Sequence, residues 1–256
     1  MVVMRVSLLP APVFAVALGL LAGGPTLPQQ TMPMGDASMH TFHQPYSIET
    51  YGAFRKMMLM GDFSPKVQLG AVMSVHPTTG VGAVAEARGE ITIFDGKLIV
   101  NYGKPGPHPD ADSDSAALLA IGSTGDWQAV PVERDVAASE VESFIAATAR
   151  AHGIDADKSF PFEARGTLGA YVMHVNAAPT GGPHGMGLPM ALTVESKGDQ
   201  IEGRIAGLYV SLDLVGIATH GGERTHAHWV SADRTATAHL DRWGLKAGTM
   251  LMVPKP

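Results

Sequence analysis

The sequence predicts an α+β protein with mixed or antiparallel β-sheets and few helices. Short β-rich pieces broken by Gly, Pro and Asp recur in both halves of the chain, and only two segments show helical periodicity. The 256 residues are globular in composition, 45% hydrophobic and 16% charged. A chain of this length buries a real core. Its net charge of −6 and pI near 6.0 give no cationic footprint, so nucleic acid is not an expected partner.

Residues 1–24 read as a secretory signal peptide: Arg5 near the start, an apolar run from Val6 to Leu21, then small residues from Ala22 to Gly24. A membrane anchor is the competing reading, but Pro10 and Pro12 interrupt the run and it is short for a bilayer span. The expectation is a bacterial protein exported to the periplasm or medium, with no stable membrane span after signal removal. The chain has no Cys, so it relies on its core rather than on disulfides. Residues 25–45 read as a flexible lead-in rich in Pro, Gln and Met. Met32, Met34, Met39, His40 and His43 offer a soft-metal alternative there.

The domain proper is expected over 46–256, as two sheet-rich halves at about 46–135 and 136–256. In "SIETYGAFRKMMLMGD" the residues Tyr51, Phe54, Met57 and Met58 lie at helical spacing, and Gly61 ends the helix. "VQLGAVMSV", "GVGAVAEARG", "EITIFDGKLIVNYG" and "WQAVPV" read as strands, with a hairpin turn at "FDGK". "HPDADSDSAALLAIGSTGD" reads as a polar, small-residue connection. "AASEVESFIAATARAHGID" is an amphipathic helix with Ser139 as cap and His152-Gly153 at its end. "FPFEARGTLGAYVMHVN", "MALTVESKGDQ" and "IEGRIAGLYVSLDLVG" return to strands. The glycine-rich "APTGGPHGMGLP" between them is a loop whose His184 faces solvent.

The stretch "THAHWVSADRTATAHLD" carries the chemistry. His226 and His228 share a strand face, because residues two apart point the same way. A hairpin with Asp233-Arg234 at its tip sets His228 opposite His239 and His226 opposite Asp241. Three imidazoles then converge, which suits a divalent metal with an open position. Imidazole serves Zn, Cu, Ni and Fe alike. A chance cluster among eleven histidines is the bland alternative, and the third histidine in register weighs against it. Asp241 is the expected partner orienting His226. A cupin would need a Glu soon after the His-x-His pair, where only Asp233 occurs, and no Gly-x-Ser-x-Gly elbow supports a serine hydrolase.

From about Ser47 to Val253 the chain resembles the acetolactate decarboxylases. The matching pieces are "GDF", "LGAV", "GEITIFDGKL", "FPFEARGTL", "IEGRIAGLY" and "HAHWVSADRTATAH". The resemblance implies a two-lobed fold, commonly dimeric, with Zn2+ on His226, His228 and His239. The implied reaction decarboxylates a small-molecule substrate, 2-acetolactate, to acetoin and carbon dioxide. The family's first-half glutamate falls on Glu90, for metal contact or acid/base work. Two departures accompany it. Tyr209 stands where the family's active-site arginine is expected, and the chain stops at Pro256, short of a further active-site glutamate. Arg224, on the His226 strand face, and His220 are candidates for the missing positive charge, and Tyr209 for a hydrogen bond to substrate. His174 reads as a structurally satisfied histidine. The alternatives are a non-catalytic exported relative binding a metal or small ligand, and a lyase for another 2-hydroxy-3-oxo acid.

Overall fold

A computed structural model describes residues 39–43, 46–104, 110–178 and 193–256. The expected signal peptide, the lead-in through Met34, and His184 lie outside the described residues. No helix among the described residues is long and apolar enough to cross a membrane.

The fold is α+β, built on two seven-stranded sheets. The first contains β1 (Met39–His43), β2 (Tyr46–Tyr51), β3 (Val67–Gln68), β4 (Thr79–Val84), β5 (Glu90–Phe94), β6 (Lys97–Asn101) and β7 (Ser115–Thr124). Its order is β1-β2-β7-β4-β5-β6, with β3 also on β7 and every pairing antiparallel. The second contains β8 (Trp127–Pro131), β9 (Phe160–Asn176), β10 (Thr193–Gly198), β11 (Ile201–Tyr209), β12 (Thr225–Val230), β13 (Thr237–Leu245) and β14 (Met250–Pro254). Here the ladder β9-β11-β12-β13 returns to β9, a partial barrel. Among the described residues three α-helices accompany the sheets: α1 (Phe54–Met60), α2 (Leu69–Met73) and α3 (Val141–Ala151).

Local chemistry explains most of these elements and several departures from the sequence reading. The "FDGK" turn forms as expected, because Asp95 (φ 53) and Gly96 (φ 70) both take the positive φ that a tight hairpin turn requires. Gly61, at φ 65, ends α1. That helix is shorter than its pattern suggested: residues 46–51 alternate buried and half-buried as β2. "VQLGAVMSV" yields the short helix α2, which buries Leu69 and Val72 three residues apart. The expected connection at 108–126 contains β7, which lies between β2 and β4 at the centre of its sheet. Its small and apolar residues Ala116 to Ile121 are all buried, the pattern of a strand covered on both faces rather than a loop. Ser139 makes no cap; Glu140 instead accepts a hydrogen bond from the Ala137 amide at 3.2 Å.

The sheets share a core in which Val81, Phe94 and Ile99 of the first pack with Ala206, Leu208 and Val230 of the second. The long β9 links the pairings of the second sheet. Its Gly166, at φ 145, sits where an added Cβ would lie 2.8 Å from the Thr249 Cα, so no side chain fits.

Glu163, on β9, is fully buried, and its Oε2 has no hydrogen-bond partner among the described residues. Burial lifts its pKa to about 7, against the pull of the Asp95 amide and Arg165. A raised folded-state value stabilises below the unfolded pKa, and that contribution is lost as pH rises through about 7. Glu163→Gln should therefore gain about 2 kcal/mol on wild type between pH 5 and pH 8 in the metal-free protein. Chemical denaturation of both proteins at the two pH values checks this; a pH-independent difference would refute it.

Candidate metal centre

β12 and β13 pair as Val230 with Thr237, Trp229 with Ala238 and His228 with His239, the register expected from the sequence. Strand periodicity brings His226 to the same face as His228. All three histidines are buried, with 3%, 0% and 5% exposure for His226, His228 and His239. One ring nitrogen from each lies within 4.8 Å of the others.

The surrounding bonds set two of the three tautomers. His226 donates from Nδ1 to the Ala218 carbonyl at 2.8 Å, leaving Nε2 as a lone pair. For His228 a chain of hydroxyls does the same. Thr237 donates to the Trp229 carbonyl at 2.8 Å, Thr92 donates to Thr237, and the Thr92 oxygen is left to accept from His228 Nδ1 at 2.9 Å. His228 Nε2 therefore faces His239 Nδ1, at 3.3 Å, as an acceptor. On its other side His239 meets His220, Nε2 to Nε2 at 3.1 Å.

Burial, reinforced by the neighbouring imidazoles, pushes His226 down to about 3 and His228 and His239 well below the ordinary histidine value. The rings are neutral at pH 7 and crowd nitrogen against nitrogen. A divalent cation fits this donor set, since neutral imidazoles are its usual ligands and the Ala218 and Thr92 bonds are the outer partners such ligands use.

Glu90 opens β5 from the other sheet and is buried beside the histidines. Its Oε1 accepts from the Asn176 amide at 3.0 Å and from Asn176 Nδ2 at 2.6 Å. Its Oε2 stands 3.7 Å from His228 Nε2. Burial raises its pKa to about 7, outweighing the opposing pull of His174 and Asn176.

A cavity of about 400 Å³ exposes Glu90, His226 and His239 together with His174, Asn176, His220 and Asp241. His174, expected to be a structurally satisfied histidine, is bonded as expected and also lines the cavity. It donates from Nδ1 to both Asp241 oxygens at 2.9 Å, and its Nε2 lies 3.9 Å from Glu90 Oε1. Burial alone would lower its pKa, but the Asp241 bond and the Glu90 charge reverse that and raise it. Asp241 was expected to orient His226; it orients His174. The hairpin pairing of β12 with β13 ends at His228 and His239, and on its other side β13 runs beside β9, where His239 pairs with His174 and places Asp241 within reach of the His174 ring. The carbonyl of Ala218 takes the orienting role.

Arg224 and Tyr209 fall together, but not among the residues lining the cavity. Arg224 donates from Nε to the Val210 carbonyl at 2.7 Å and from Nη2 to the Ala156 carbonyl at 2.8 Å. Its guanidinium carbon sits 4.4 Å from the centre of the Tyr209 ring, which stacks on Phe160. The guanidinium clamps backbone around Tyr209, so Arg224→Ala should destabilise the fold by about 2–4 kcal/mol while metal affinity stays within a few-fold. Denaturation and metal titration of the variant check this, and loss of metal affinity without loss of stability would reverse the assignment.

No protein-family model and no curated protein matches the chain. Solved structures do. The acetolactate decarboxylase of Bacillus subtilis subspecies spizizenii superposes with TM-score 0.65 at 15% identity, covering 82% of this chain and 86% of its own. The α-acetolactate decarboxylase of Bacillus subtilis strain 168 gives 0.61 at 15% identity over the same shares. A Staphylococcus aureus protein of unknown function, described as similar to α-acetolactate decarboxylase, gives 0.59 at 13% identity, covering 80% and 83%. The fold of this chain is that of the acetolactate decarboxylases.

Proposed function

We propose that the chain is a zinc-dependent carboxy-lyase that converts 2-acetolactate, or a similar 2-hydroxy-3-oxo acid, to acetoin or its analogue and carbon dioxide. The observation that carries this reading is the meeting of three neutral, buried imidazoles with the buried carboxyl of Glu90, with His226, His239 and Glu90 opening onto one cavity. The shared fold supports it. His226, His228 and His239 would hold Zn2+, which supplies Lewis acidity to the substrate's adjacent hydroxyl and keto oxygens.

The rest of the chemistry falls to the chain. When the bond from the carboxylate to the substrate carbon breaks, its electron pair stays on the organic fragment, and a proton must reach that carbon. Burial raises Glu90 toward neutrality, so a substantial share of it carries a proton near pH 7 before a metal binds, and it is placed to deliver one. Asn176 occupies Oε1, leaving Oε2 on the side of the histidines as the oxygen that delivers it. His174, fixed by Asp241, lines the cavity beside Glu90 and is placed to face the substrate carboxylate.

Metal analysis and an acetoin assay on purified protein test this. One zinc per chain and metal-dependent acetoin formation are expected. Zinc-loaded protein that leaves 2-acetolactate untouched would favour a non-catalytic binder of a metal or small ligand. One observation points that way: no Arg or Lys is present among the described residues lining the cavity. We also propose export, which rests on residues 1–24 and is tested by locating the protein in fractionated cells.

A further inference from the structure

The cavity has two chemically different ends. One carries the histidines, Glu90, Asn176 and Asp241; the other is walled by Phe54, Met57 and Met58 of α1, Phe63 beyond it, and Leu118 of β7. The apolar wall joins the metal centre directly. The Phe54 ring lies 3.9 Å from that of His220, whose Nε2 contacts His239. It is also fixed in place, because the Phe54 and Arg55 amides donate to the Ile217 and Gly216 carbonyls at 2.8 and 2.9 Å. A ligand held at the histidines therefore has a continuous apolar surface beside it.

2-Acetolactate cannot use that surface. Its nine heavy atoms take the room of about six waters, roughly 180 Å³ at ~30 Å³ each. The cavity measures about 400 Å³, inside the roughly 300–1,000 Å³ range of clefts that enclose drug-sized ligands. With only methyl groups to offer, the small acid would leave the methionines and phenylalanines facing water.

Resting on the lyase reading above, we propose that the preferred substrate is a 2-hydroxy-3-oxo acid bearing an apolar substituent of about four to six carbons, each filling about the room of one water. The acid and its adjacent oxygens sit at the histidine end, and the substituent runs along Phe54 toward Met58 and Leu118. The carbon–carboxylate bond breaks and the carbon left behind takes one proton, as for the methyl compound. Only the binding of the substituent differs.

Hydroxamates bind zinc through adjacent oxygens and so probe the pocket without turnover. On zinc-loaded protein, hexanohydroxamate should bind roughly 250-fold tighter than acetohydroxamate, from about fourfold per buried methylene over four methylenes. Met58 is 53% exposed, so a charge there is compatible with folding. Met58→Asp should shrink the ratio between the two probes at least tenfold. Equal affinities, or a ratio that Met58→Asp leaves unchanged, would overturn the inference while leaving the metal centre and lyase reading intact. In turnover, kcat/KM for 2-butyl-2-hydroxy-3-oxobutanoate should exceed that for 2-acetolactate at least tenfold, and the opposite order would also overturn it. If the hydroxamates rank as expected but neither acid is decarboxylated, the lyase reading fails and the two-ended pocket stands.

Discussion

His228→Ala is expected to lower zinc affinity more than a hundredfold, beyond the roughly 10–100-fold loss that follows when only a partner of a ligand is removed. His228 is fully buried, and its Nε2 is turned toward His239 by the Thr92 and Thr237 hydroxyls. Alanine removes one of the three ring nitrogens. Thr92→Val supplies the internal comparison: it keeps the imidazole and deletes the hydroxyl that fixes its tautomer, so its loss should stay within about 10–100-fold. Competition against a chelating dye measures both. Equal affinity in wild type and His228→Ala would mean that the histidines are not the metal site.

Glu90→Gln is expected to reduce kcat by about 10²–10⁴-fold, the usual worth of a positioned acid, while zinc content is retained. Glutamine preserves the volume and can still accept the Asn176 bonds at its carbonyl, but it has no proton to give. The pH profile adds a sign. Burial raises Glu90 to about 7, so the acid form is present below that value and is lost above it. Zinc held by the adjacent histidines would draw that value down, so wild-type decarboxylation should fall as pH rises through a value at or below about 7, and the residual activity of the variant should lack that limb. A variant with full activity would remove Glu90 from the chemistry and leave it as a buried spacer.

Much of the site was legible along the chain because its spacing is local. His226 and His228 needed only the two-residue period of a strand, and His239 needed only a hairpin returning at Asp233-Arg234; the observed pairing of His228 with His239 follows from both. Patterns that depend on neighbours read less well. The small, apolar centre of β7 looks like a connection until β2 and β4 are placed on either side of it. Leu69 and Val72 suit a strand or a helical turn equally, and packing decided for the turn.

The amino-acid sequence by itself determined the α+β class, the "FDGK" hairpin and the three-histidine cluster, since each rests on periodicity or turn chemistry within a few residues. Only the tertiary structure decided what surrounds the cluster. It brings Glu90 from the first sheet and His174 from the second to one cavity, bonds Asp241 to His174 rather than to His226, and spends the charge of Arg224 on backbone carbonyls around Tyr209. Glu90 and Asp241 lie 151 residues apart along the chain, and it is the closing of two sheets on one core that makes them neighbours. Burial then sets their protonation, an energy that no stretch of sequence carries alone because it depends on how much water the folded surroundings remove.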